Sequence, residues 1–352
     1  MSRLFASSEL RGVSRLALAF VFVVAAAYCV KSSPVFSQSH PLEAHNAESV
    51  ESAGAVENND NTESTVVRLV RRDGAPVKME TAVVRYSGKY RASDGVERDV
   101  NVDLIGAVHI ADAQYYQDIN ELFQEYETVV YELITDEDSD AAIAQSLRES
   151  REKKNKKRNF NPLNFISYFQ EDLGKALGLT YQIDGINYEA ENLRHGDSTS
   201  IEFISQLFAN GDVVQFFIKT FALSLLDEPP GSAEGAVVTI LCSRDRRLTA
   251  KRLMAVELAD TTIGQFKTEI RAVGSNAESE NPRRKNTMIH YRNGKALDVL
   301  RKELDEGREK VAIFYGAAHL PDLGMRLQQD FNMTLEPEAR WFKAWDLERS
   351  SE

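Results

Sequence analysis

The sequence predicts an α/β protein whose central β-sheet is built from two related halves, each a strand, a Gly-x-x-His motif and a helix. The motif occurs at residues 101–112 (NVDLIGAVHIAD) and again at residues 311–322 (VAIFYGAAHLPD). Apolar residues at helical spacing follow each copy, so each strand is expected to turn into a helix. The stretch of about 136–285 is mainly helical in pattern and is expected to form an insertion or cap between the halves.

The histidines of the two motifs, His109 and His319, are the first candidates for a functional site. A lone histidine at a strand end is more often a hydrogen-bonded core or surface residue than a ligand. Here two of only six histidines stand in the same seven-residue pattern, after Gly106 and Gly316, and this repetition favours function. Ligands of open α/β sheets bind at the carboxyl edge of the strands, where an imidazole can serve as a metal ligand or a proton carrier. We therefore expect the two histidines to converge on one centre.

Glu132 is the candidate carboxylate, because it stands near the end of the short apolar run 128–133. The unit 100–133 is long enough for a right-handed crossover, so its two strands are expected to be parallel neighbours. That arrangement would place Glu132 on the same sheet edge as His109. A carboxylate in an apolar run is costly unless it is paired, protonated or coordinated. The alternative is a solvent-facing residue at a strand end.

Three further polar residues are expected near this edge. The run 287–290 is predicted to be a short strand, which would place Arg292 and Asn293 at its carboxyl end. An arginine there can hold a carboxylate or stabilise an oxyanion. His195 lies beside Asp197 and Ser198, which are expected to cap the next helix. It could supply a third imidazole, although a surface histidine in a loop fits the pattern equally well.

The front of the chain has the features of a leader. Arginines precede an uninterrupted apolar run at residues 16–30, which predicts a signal peptide or an N-terminal membrane anchor over residues 1–37. Residues 38–64 are acidic and almost free of large apolar side chains, which indicates a disordered spacer. The α/β domain is expected over 65–347, beginning with a β-hairpin around Asp73 and Gly74. We expect an exported protein, periplasmic or secreted, or held on the membrane if the leader is not cleaved.

The motifs resemble those of the TraB/PrgY/GumN family, a group similar to the TIKI metalloproteases and more distantly to erythromycin-esterase-like and ChaN-like proteins. The resemblance covers residues of about 100–330 and rests on seven positions: Gly106, His109, Glu132, Arg292, Asn293, Gly316 and His319. It implies an α/β core of two related halves joined by a helical region. It also implies peptide hydrolysis that depends on a divalent metal, with manganese or cobalt as the usual activator and zinc as a further candidate.

The leading hypothesis is an exported metal-dependent hydrolase, peptidase-like, that acts on a peptide or a small-molecule substrate. His109 and His319 would bind the metal, and Glu132 would complete the ligand set or act as general base. Arg292 would stabilise the oxyanion, while Asn293 would position Arg292 or the substrate. His195 would be an extra ligand or a proton donor. The net charge of −12 argues against a nucleic-acid partner.

Two other functions remain open from the sequence. In the first, the same histidines hold haem or iron, as in ChaN-like proteins, or serve an inhibitory binding protein that breaks no bond. In the second, a histidine acts as general base in a metal-free esterase. A serine hydrolase is disfavoured, since the chain has no Gly-x-Ser-x-Gly motif.

Overall fold

A computed structural model describes residues 66–152, 171, 173–209, 243–256, 258–259 and 287–348. The expected leader, the acidic spacer and much of the expected helical insertion lie outside these residues. The described part is a mixed α/β structure. Its strands are β1 (Val67–Arg72), β2 (Ala75–Arg91), β3 (Glu97–Ala107), β4 (Ile110–Ala111), β5 (Thr128–Tyr131), β6 (Thr180–Tyr181), β7 (Leu193–His195), β8 (Lys310–Gly316) and β9 (Thr334–Asp346). Its helices are α1 (Ala113–Phe123), α2 (Asp140–Glu152), α3 (Gln182–Gly185), α4 (Ser200–Ala209), α5 (Arg292–Asp305) and α6 (Leu320–Asp330).

The antiparallel part of the sheet starts with the predicted hairpin. β1 and β2 pair on either side of Asp73 (φ 52°) and Gly74 (φ 77°). Two consecutive left-handed residues match the twist of the flanking strands, which is why Asp-Gly is favoured in such turns. β9 pairs antiparallel with β2, and Trp345 of β9 is fully buried. The predicted hairpin is therefore confirmed.

The parallel part of the sheet contains both motif strands. The strand order in the larger sheet is β1-β2-β3-β8-β5-β7, with β9 paired to β2, and β4 and β6 form a separate two-stranded sheet. In the larger sheet β3, β8, β5 and β7 run parallel. The expectation that β3 and β5 are neighbours is wrong, since β8 lies between them. All five residues of 311–315 are fully buried. A strand that is apolar on both faces belongs at the centre of a sheet, where both of its edges are paired.

The helices bring polar residues to the end of this parallel sheet. α5 packs against β5 and β7, and α6 packs against β3 and β2. The run 287–290, predicted as a strand, is instead part of a π-helical turn (Thr287–Tyr291) that leads into α5. The four residues Thr-Met-Ile-His are too few for their periodicity to distinguish a strand from a helical turn. The consequence is that Arg292 and Asn293 lie in the first turn of a helix, where both are buried.

None of the helices among the described residues is long and apolar enough to cross a membrane. The apolar run 16–30 lies outside the described residues.

Candidate functional site

The ends of β5 and β8 meet in a buried cluster around Glu132. The Glu132 backbone N–H donates to the Phe314 carbonyl (3.2 Å), and its side-chain Oε2 accepts a hydrogen bond from the Gly316 N–H (2.6 Å). A Cβ on Gly316 would lie only 3.2 Å from that same Oε2. The glycine of the second motif therefore lets the carboxylate approach the backbone closely. Glu132 is buried, so the alternative of a solvent-facing strand end is wrong.

Arg292 links Glu132 to a second buried carboxylate, Asp197. Its Nε and Nη2 donate to the two oxygens of Asp197 at 2.8 and 2.5 Å, and Nη2 also lies 2.7 Å from Glu132 Oε1. All three side chains are buried. Two carboxylates thus share one guanidinium, which leaves one negative charge in excess inside the protein. Such a charge is costly unless a further cation or hydrogen-bond donor compensates it.

His319 faces this excess charge. Its Nε2 lies 3.7 Å from Glu132 Oε1, while its Nδ1 is 2.6 Å from the side-chain oxygen of Asn293. The imidazole is buried and forms a T-shaped contact with the Tyr315 ring at a centroid distance of 5.2 Å. The short 3₁₀ turn Ala317–His319 at the end of β8 holds the ring in this position.

The electrostatics keep this pair as a carboxylate and a neutral imidazole. Burial alone would raise the pKa of Glu132, but the nearby charge of Arg292, the two motif histidines and the Gly316 N–H together lower this pKa below its ordinary value. Burial lowers the pKa of His319 to about 4, and the opposing pull of Glu132 does not offset it. The neutral imidazole is the form that binds metal ions.

His109 lies near the cluster but not in it. It is exposed, and its backbone carbonyl accepts a hydrogen bond from the Gln182 N–H (2.8 Å). A positive charge on its ring would lower the pKa values of both Glu132 and His319. The chain stays extended after β3 because β4 pairs with β6, so His109 is carried to the rim of the site.

His195 ends β7 rather than lying in an irregular loop. Its Nε2 donates to the Leu133 carbonyl at 2.6 Å, and its backbone N–H donates to Asp140. The ring therefore contacts the residue that follows Glu132, and its Nε2–H is used in a hydrogen bond to the backbone. That contact suits a side chain that holds the end of β5 against β7.

Two buried acids were not singled out from the sequence as site residues. Asp197 was expected to cap α4, but the cap is formed by Thr199, whose Oγ1 accepts from the Glu202 N–H at 3.1 Å. Asp197 instead binds Arg292, 95 residues away in the sequence. No local sequence pattern predicts a contact over that separation. Asp322 accepts from the Asn293 side chain at 2.8 Å. Asp322 could have been predicted as a site residue, because it is the last residue of the repeated motif.

The described donors fit a divalent ion in part. Ligand atoms bound at ordinary distances to one ion lie about 3–4 Å apart, and Nε2 of His319 and Oε1 of Glu132 meet that requirement at 3.7 Å. The excess negative charge of the cluster also favours a cation. However, the described residues contain no group of three or more His, Cys, Asp or Glu side chains placed to hold a metal ion. Two of the three predicted ligands are together, and His109 stands outside.

Comparison of the chain with protein-family models, with curated proteins and with solved structures gives no match. Membership of the TraB/PrgY/GumN family, which the motifs resemble, is therefore a proposal.

Proposed function

We propose that this protein is an exported, metal-dependent hydrolase of the TraB and TIKI type that cleaves peptide bonds. The observation that carries the proposal is the buried pair of His319 and Glu132, whose Nε2 and Oε1 atoms lie 3.7 Å apart. Nδ1 of the same ring is bound by Asn293, as the outer nitrogen of a metal-binding histidine usually is. A site with one excess negative charge and a neutral imidazole is suited to a divalent cation.

We also propose that the two strand–motif–helix units are related halves of the protein. Its support is the direct parallel pairing of β3 with β8, in which Ala107 faces Gly316. Both motifs thus start from neighbouring positions at one edge of the sheet. The stretch of about 136–285 would lie between these halves in the chain and shape the substrate cleft. It is not helical throughout as expected, because β7 (Leu193–His195) joins the central sheet beside β5.

In this proposal His319 and Glu132 hold the ion, with manganese or cobalt the metals that the resemblance implies, and His109 joins them from the rim. A divalent ion there would polarise the scissile carbonyl and lower the pKa of water beside it. Both Glu132 oxygens already have a partner: Oε1 forms an ion pair with Arg292, and Oε2 accepts a hydrogen bond from the Gly316 N–H. A carboxylate held in this way keeps its charge, which suits a ligand better than a proton carrier.

Arg292 would stabilise negative charge that develops on the substrate. Its hydrogen bonds to Asp197 and its ion pair with Glu132 use Nε and Nη2, and we assign Nη1 to the substrate oxygen. Because the guanidinium is fixed by two carboxylates, it would need no reorganisation during the reaction. Asn293 contacts His319 rather than Arg292, so its role here is to orient the imidazole. His195, whose ring binds the Leu133 carbonyl, takes part in no chemical step.

The test is elemental analysis of the purified full-length protein after incubation with Mn²⁺ or Co²⁺ and removal of free metal. We expect near-stoichiometric metal in the wild type and in His195→Gln, whose amide can still donate to the Leu133 carbonyl. We expect His319→Ala to lose it. Absence of bound metal in the wild type would exclude the proposal.

Activity is measured next on a peptide library, with and without a chelator. Hydrolysis that requires the metal and disappears in Glu132→Gln supports a hydrolase. Metal binding without hydrolysis of peptides or esters would instead favour the non-enzymatic binding protein.

A further inference from the structure

A chain of three buried side chains leads from the second motif away from the site. Asn293 Oδ1 contacts His319 Nδ1 at 2.6 Å. The other end of the amide, Nδ2, donates to Asp322 Oδ2 at 2.8 Å and to the His319 backbone carbonyl at 3.1 Å. Asn293 and Asp322 are both fully buried. These contacts are direct, so the chemistry of each group decides which atom donates and which accepts.

The orientation of the amide follows from its partners. A backbone carbonyl only accepts, and an ionised carboxylate only accepts, so the Asn293 atom that faces both of them must be the NH₂ group. The atom facing His319 must then be the carbonyl oxygen, which only accepts. Nδ1 of His319 is therefore the nitrogen that carries the proton in the neutral ring.

Asp322 is itself held as an acceptor. Its Oδ1 lies 2.9 Å from His290 Nδ1, and its Oδ2 lies 3.0 Å from Arg326 Nε. Arg326 forms an ion pair with Asp322, and its Nη2 donates a hydrogen bond to the His290 backbone carbonyl at 3.1 Å, which fixes the arginine beside the acid. A buried carboxylate with a guanidinium partner stays ionised, and an ionised Asp322 cannot donate to Asn293. The amide therefore cannot be turned round without breaking two hydrogen bonds.

We propose that Asn293, anchored by Asp322, is a positioning residue that locks the ring tautomer of His319 with the proton on Nδ1. The lock acts against Glu132, whose carboxylate lies 3.7 Å from Nε2 and would otherwise attract the proton to that nitrogen. With the proton on Nδ1, the lone pair of Nε2 stays free for a cation. This last consequence rests on the proposed function, whereas the tautomer itself does not.

The tautomer can be read directly from the ¹⁵N ring shifts of the full-length protein labelled with ¹⁵N-histidine, near pH 7 and without added metal. The His319 signals are assigned by their loss in His319→Gln. We expect a protonated Nδ1 and an unprotonated Nε2 in the wild type. A wild-type ring with its proton on Nε2 would overturn the inference, whatever the variants do.

Variants then test which residue sets the tautomer. Asn293→Leu removes the acceptor for Nδ1–H at similar volume, and we expect the proton to move to Nε2, towards Glu132. Asp322→Asn removes one of the two groups that orient the amide, so a mixture of tautomers is expected. Asp112→Asn, the same change in the first motif, is the matched control and should leave His319 unchanged. A His319 tautomer unaltered in Asn293→Leu would refute the assignment.

Titration with Mn²⁺ alone separates this inference from the proposed function. If both hold, Asn293→Leu should weaken Mn²⁺ binding by about 10–100-fold, the usual effect of losing an outer partner of a ligating histidine. If the wild type shows the expected tautomer but binds no metal, the tautomer lock stands and the metal-dependent function fails. Unchanged Mn²⁺ affinity in a variant whose proton has moved to Nε2 would contradict the role assigned to the lock.

Discussion

The two copies of the motif begin at neighbouring positions and end in different environments. Ala107 of β3 pairs with Gly316 of β8, so both strands deliver their histidines to one edge of the sheet. His319 is then buried against Glu132, whereas His109 is exposed. The final aspartates differ as well. Asp322 holds the Asn293 amide, while Asp112 accepts from Lys251 at 3.0 Å and from the Asp346 backbone N–H.

The cause of the difference lies in the residues between strand and helix. After Gly316 come two alanines, and Pro321 stands in the first turn of α6, where a fixed φ favours helix initiation. The chain therefore turns into a helix directly after the strand, and the His319 imidazole is buried. After Ala107 the residues Val108 and Ile110 favour extended structure, and Ile110 pairs with Tyr181. A repeated motif thus predicts a shared sheet edge, but the local helix signals decide how deep each histidine lies.

The largest loss of stability is expected at Arg292, beside the second copy of the motif. Replacing Arg292 by Met would leave Glu132 and Asp197 buried without a cation, at a cost of about 3–5 kcal/mol in the free energy of unfolding. Denaturant unfolding followed by circular dichroism measures this cost. Arg340→Met is the control, because its pair with Glu125 is exposed and should contribute less than about 1 kcal/mol. Equal effects of the two changes would show that the buried cluster does not depend on Arg292.

The motif glycines should separate stability from binding. In Gly106→Ala the new Cβ would lie 3.3 Å from the Ala82 backbone carbonyl, which cannot move freely, and we expect a net loss of about 1–2 kcal/mol in unfolding free energy. In Gly316→Ala the nearest atom is the Glu132 carboxylate, a side-chain group that can shift. Stability should change by less than about 1 kcal/mol, while Mn²⁺ binding weakens. Thermal unfolding and metal titration of the same two proteins decide between these outcomes.

Local patterns were sufficient for the parts of the fold that depend on neighbouring residues. The hairpin at Asp73-Gly74, the strand β8 and the helix after each motif were all predicted, because turn chemistry and apolar spacing are encoded within about ten residues. The position of β8 between β3 and β5 was not predicted, since strand order depends on contacts between residues about 200 positions apart. The same limit applies to the site. Glu132 and His319 were identified from their strand ends, but Asp197 acquires its role only through the distant Arg292.

The smallest effect on stability is expected at His109. Variants of His109 and His319 give the sharpest test of how the two motif copies differ. His109→Gln changes an exposed side chain, so the free energy of unfolding should stay within about 0.5 kcal/mol of the wild type. His319→Gln disturbs a buried imidazole and leaves Asn293 Oδ1 without its donor, at a cost of about 1–3 kcal/mol. If His109 joins the ion from the rim, both variants should nevertheless lose Mn²⁺ affinity, His109→Gln without any loss of stability. Unchanged Mn²⁺ affinity in His109→Gln would mean that the first motif has kept the strand and the glycine of its partner but takes no part in the site.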